Sequence, residues 1–144
     1  MNAQRYLQQI KILDTKIKQK EDQYFEIYNA ATNAGVIRYD KELVQTTRTG
    51  DRTEKLVIKY SQLEKEISEQ KLKFHEIKNR IINEIQELSD DRYINILYKR
   101  YVEYKNYEVI SKEMRYSFDY VKELHRNSIK AFEEKHPTIS HYTI

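Results

Sequence analysis

Between Gly50 and Ser89 the chain has neither glycine nor proline, and Leu56, Tyr60, Leu63, Ile67, Phe74, Ile77, Ile81, Ile85 and Leu88 recur at intervals of three, four or seven. That period builds one amphipathic helix of about 38 residues capped near Asp51, roughly 55 Å long at 1.5 Å per residue. A helix of this length cannot bury its stripe inside a small domain, so it must lean on another helix. The first thirty residues supply a matching stripe: Ala3, Ile10, Leu13, Ile17, Tyr24, Ile27 and Ala31, widened by Tyr6 and Tyr28. The simplest arrangement folds one stripe on the other as an antiparallel hairpin through a loop at about 34–50; a homodimer through the long helices is the alternative. Lys20 and Gln70 place polar side chains in the two seams, a device that fixes register or oligomer state.

Only two glycines and one proline punctuate 144 residues, and 39% apolar content stands beside 34% charged. Few turns and a thin core predict an all-α chain. The absence of cysteine removes disulfides, thiolate nucleophiles and Cys-based zinc sites. His75, His125, His136 and His141 have no second ligand at metal spacing and are expected to be structural or solvent-facing. No paired-carboxylate cleft, Ser/His/Asp set or glycine-rich phosphate loop is legible, so no enzyme, cofactor or metal is expected. No apolar run reaches the roughly 20 residues of a membrane span, and the N-terminus lacks a signal peptide's apolar stretch, which predicts a cytoplasmic protein without membrane contact.

The connector carries Lys41, Arg48 and Arg52 with the hydroxyls of Thr46, Thr47 and Thr49. These groups suit phosphate contact, and equally suit a solvated linker.

Chemistry of recognition concentrates further on. Ser89-Asp90-Asp91 reads as a helix start, with acid where the helix dipole favours it. The helix that follows is expected to present Tyr93, Ile94, Leu97, Tyr98, Tyr101 and Val102 on one side. Asn106 caps a short helix over Tyr107–Met114 with Ile110 and Met114 on one face, Arg115-Tyr116 turns, and Ser117 caps a second helix. In that helix Val121, Leu124, Ser128 and Phe132 fall inward, leaving Phe118, Asp119, Lys122, Glu123 and Arg126 outward. Pro137 closes the helical region, and 136–144 is expected to be a tail. Short helix, three-residue turn and capped helix form the outline of a helix-turn-helix, whose second helix reads the major groove with its early outward residues.

The segment Asn106-Tyr107-Glu108-Val109-Ile110, with Met114-Arg115-Tyr116-Ser117 and Val121, resembles region 4 of bacterial sigma factors. The wider layout has two heptad helices, a loop ending near Val44-Gln45-Thr46-Thr47, and Leu88-Ser89-Asp90-Asp91-Arg92-Tyr93 before the helix-turn-helix. This is similar to the ArpU/RinA-type phage transcriptional regulators, with their sigma-70 region-4-like helix-turn-helix. The resemblance spans most of the chain, its specific part being Leu88 to Phe132. It implies three segments: a helical hairpin over 1–88, a three-helix helix-turn-helix domain over 89–135, and a tail. It further implies double-stranded DNA as partner, with RNA polymerase alongside. Base-edge contacts would fall to Phe118, Asp119, Lys122 and Glu123, and backbone contacts near Asn106 and Arg126, with Arg115, Ser117 and Lys130 completing the DNA-binding set. Arg115 departs from the family turn, which usually has glycine.

Ser89 to Lys135 holds ten basic and nine acidic residues, and the whole chain is only +3. A free-standing DNA reader is usually more basic. The expectation is therefore a phage-encoded DNA-binding regulator whose affinity depends on a second copy, RNA polymerase or the helical arm. A helical adaptor that captures a phage or host protein, and a small terminase-like DNA-packaging factor, are the competing readings.

Overall fold

A computed structural model of the protein describes residues 3–39 and 46–138. The described residues are helical with no strand, an all-α fold. The elements are α1 (Ala3–Leu7), α2 (Gln9–Tyr39), α3 (Thr46–Gln86), α4 (Asp91–Leu97), a π-helical turn (Tyr98–Val102), α5 (Tyr107–Met114) and α6 (Phe118–Lys135). By packing they fall into two compact units: the described residues of Met1–Asp14 with Phe74–Ile144, and Thr15–Lys73. The division runs through α2 and α3, so the junction expected between 88 and 89 lies inside the first unit.

The Thr15–Lys73 unit is an antiparallel pairing of α2 with α3 within one chain. Across the pairing Lys20 Nζ bonds Glu66 at 3.1 Å and Lys71 reaches Glu21 at 3.5 Å. Tyr60 meets Tyr24 and Tyr28 edge-on, with centroids 5.9 and 5.5 Å apart. Ile17, Ala31, Leu63 and Ile67 are buried, as the stripes require. Lys20 thus keeps its seam position by pairing with an acid across the hairpin. Gln70 has a buried Oε1 with no hydrogen-bond partner.

The connector is shorter than the sequence suggests. The backbone is helical through Tyr39 and again from Thr46, so 34–39 and 46–50 belong to helices and Asp51 lies within α3, not at its start. Gly35 and Gly50 each cost a helix only about 1 kcal/mol, which the neighbouring residues outweigh. Lys41, with the rest of 40–45, lies outside the described residues, as do the side chains of Thr46, Thr47, Arg48 and Thr49; Arg52 is exposed on α3.

The other unit wraps the C-terminal helices with both ends of the long stripes. Ala3, Tyr6, Leu7 and Ile10 are buried, as are Phe74, Ile77, Ile81, Ile85 and Leu88. α6 packs against α4, α5 and α1. The Tyr6 ring lies 6.0 Å from Phe132 and its hydroxyl donates to Glu84, while the Ala3 amide donates to Glu133 at 3.0 Å. His136 is not part of a loose tail: its Nε2 lies 3.0 Å from the Glu84 carbonyl oxygen and 3.5 Å from Glu87. Residues 139–144 lie outside the described part.

One expectation about the core is corrected. Glu103 N–H donates to Tyr98 O at 3.1 Å, an i to i−5 bond that inserts an extra residue into the turn. The buried face differs from the expected one: Ile96, Leu97, Tyr101 and Val102 are buried, whereas Tyr98 is exposed and Tyr93 and Ile94 are only half-buried.

Candidate nucleic-acid interface

The helix-turn-helix is built by three local devices. Asn106, in extended backbone at φ −82° and ψ 168°, accepts the Val109 amide on its side-chain oxygen at 2.9 Å and starts α5. Arg115 ends α5 in the left-handed region at φ 60° and ψ 42°, its amide donating to Ser111 O. Ser117 Oγ accepts the Tyr120 amide at 3.2 Å and starts α6. Each of the two N-caps contributes on the order of 1 kcal/mol. Only Arg115, Tyr116 and Ser117 separate the two helices, the turn that the sequence predicts.

A left-handed non-glycine residue costs roughly 1–2 kcal/mol, and here a cation stands where glycine would cost nothing. A second strained residue, Tyr104 at φ 60°, precedes α5. Burial, with the hydrogen bond its hydroxyl donates to Asp14 at 3.1 Å, pushes the phenol up to about 12.

Beneath α6 lies a polar cluster that the sequence did not assign. His125 is buried, with Nε2 2.7 Å from the Tyr101 hydroxyl and Nδ1 3.1 Å from that of Tyr107. Burial, reinforced by Arg100, holds the imidazole down at about 4. The ring is therefore neutral near pH 7, one nitrogen donating and the other accepting. Arg100 lies over the Tyr107 ring at 4.4 Å and donates to Lys105 O at 3.1 Å. The pattern reveals an isolated histidine on an inward position; its two tyrosine partners come from separate elements and leave no signal at fixed spacing.

Ion pairs explain why ten basic residues do not make a basic face. Lys99 and Lys105 both reach Glu113, at 2.7 and 2.8 Å, and draw its carboxyl below the usual range. Arg92 pairs with Asp90 at 2.8 Å and donates to the Tyr120 hydroxyl at 2.8 Å. These three cations brace the frame.

Arg115, Phe118, Asp119, Lys122, Glu123, Arg126 and Lys130 are all exposed, so α6 brings its expected contact residues onto one solvent-facing surface. Asn106 and Ser117 are exposed too, but their oxygens are engaged in capping; what remains for a partner is the Asn106 amide nitrogen and the Ser117 hydroxyl proton. Along α6, Asp119 and Glu123 flank Lys122 in the first two turns, and Arg126 and Lys130 occupy the next two. Asn127, which the sequence reading passed over, is exposed beside them. Arg126 and Lys130 also line a groove with Gln4, Tyr107 and Glu133.

Among the described residues no group of three or more His, Asp or Glu is placed to hold a metal, and no helix is long and apolar enough to cross a membrane. Comparison with known proteins finds no matching family model, curated protein or solved structure.

Proposed function

We propose that this protein is a DNA-binding transcription regulator, phage-encoded as its sigma-like and ArpU/RinA-like sequence pattern implies, that acts at promoters together with RNA polymerase. The observation that carries the reading is the capped three-residue turn between α5 and α6, which leaves Lys122, Arg126 and Lys130 on the solvent side of the second helix. Such a helix enters the major groove by its early residues, while later cations and the turn meet phosphates. Arg115, Arg126 and Lys130 suit the phosphates; Lys122 suits a guanine edge, and Asp119 and Glu123 suit the amino group of cytosine. Near-balanced charge makes the intrinsic affinity low, which favours joint action with the polymerase or a second copy.

The test is a mobility-shift titration against promoter DNA across salt. Arg126→Ala should weaken binding alike on every sequence and reduce the salt slope by about one, whereas Lys122→Ala should act at one base pair. Absence of binding both without and with RNA polymerase would sink the reading.

A helical adaptor remains as a second reading because the hairpin exposes Phe25, Tyr28, Val57 and Ile58. It predicts a stoichiometric protein complex unaffected by substitution of Lys122 or Arg126.

A further inference from the structure

Phe118 is the first residue of α6 and is 44% exposed. Nothing in helix chemistry recommends it there: the first turn favours proline or acid, and an exposed ring gives little burial. Its neighbours nonetheless fix it. Lys122, one turn on, holds its ammonium 4.6 Å from the ring centroid, and Tyr107 of α5 meets the ring nearly perpendicular at 6.4 Å. The other aromatics nearby are used internally: Tyr120 stacks edge-on with Tyr116 at 4.8 Å and its hydroxyl is taken by Arg92.

The acids beside Phe118 bear on what the ring can meet. Asp119 and Glu123 oppose close approach of a phosphate, so the start of α6 is suited to base edges and not to the backbone. Among major-groove base edges, the apolar feature is the methyl group of thymine. Resting on the DNA-binding reading above, we infer that Phe118 is a specificity-determining residue that packs against the 5-methyl group of one thymine in the recognised site.

The test uses the full chain and a randomised library of double-stranded DNA, from which bound duplexes are selected at low salt. In a recovered duplex each thymine is replaced singly by deoxyuridine, which deletes the methyl and leaves base pairing intact. One thymine, or one symmetric pair, should weaken binding about 3- to 5-fold when replaced, the value of a single buried methyl group. Phe118→Ala should bind the thymine and deoxyuridine duplexes equally, and Phe118→Leu should keep part of the difference. A duplex indifferent to every replacement, or a Phe118→Ala protein as sensitive as its parent, would overturn the assignment. Recovery of no duplex at all, both without and with RNA polymerase, would overturn DNA reading itself, and the assignment with it.

Discussion

His125 sits where a charged ring would be costly, and that sets a pH dependence. Unfolded, its imidazole titrates near 6.5; folded, burial holds it near 4. Between those values the unfolded chain binds a proton that the folded chain refuses. Stability from this residue is therefore complete above about 6.5, falls as the pH drops, and levels off below about 4, a loss on the order of 3 kcal/mol in all. Glu113 and Asp90, whose carboxyls are held below their usual 4.5 and 3.8, act below this range, so the interval from 6.5 to 5 lies clear of both. Urea midpoints should decline across it in the parent and stay flat in His125→Gln; a flat parent would contradict the buried neutral ring. Arg115 offers the complementary case, strain without burial. Arg115→Gly should raise stability by about 1 kcal/mol because glycine enters the left-handed region freely. The same change at Tyr104 should give no gain, since it also removes the ring that bonds Asp14.

At the scale of elements, the hairpin shows how a seam tolerates polarity. Lys20 reaches Glu66, but Gln70 leaves its side-chain oxygen buried and unbonded. Gln70→Leu keeps the volume and removes that orphan, so thermal unfolding should shift upward by about 1 kcal/mol of stability; an unchanged or lowered midpoint would mean the oxygen is satisfied. The same helices mark what was legible in sequence. Heptad spacing gave Ile17, Leu63 and Ile67 as buried because a long helix has one period and one free choice of face. The caps Asn106 and Ser117 and the outward run of Phe118, Lys122 and Arg126 were legible for the same reason, being local. The π turn was not: the Tyr101 hydroxyl within it bonds His125, 24 residues away in sequence, a contact that no local spacing announces. Nor was the extent of the loop, since Gly35 and Gly50 weaken a helix without ending it.

At the scale of the molecule, the unexpected feature is the use of the extreme ends of the stripes as support for the helix-turn-helix. Tyr6 is 1% exposed, packs on Phe132 of α6, and bonds Glu84 of α3. Desolvation and Glu84 both push its phenol above the ordinary range, so the hydroxyl stays a donor at any physiological pH. Removing this ring should open a cavity beneath α6 and delete the hydrogen bond to Glu84, a combined loss of about 3 kcal/mol or more. Because Tyr6 and Phe132 belong to one compact unit and Tyr60 to the other, the effect should be local. In native-state hydrogen exchange, Tyr6→Ala should lower protection of the amides of α6, whereas Tyr60→Ala should lower it within Thr15–Lys73 first. If both substitutions lowered protection uniformly along the chain, the two units would unfold as one and the N-terminal helix could not be assigned the separate task of bracing α6.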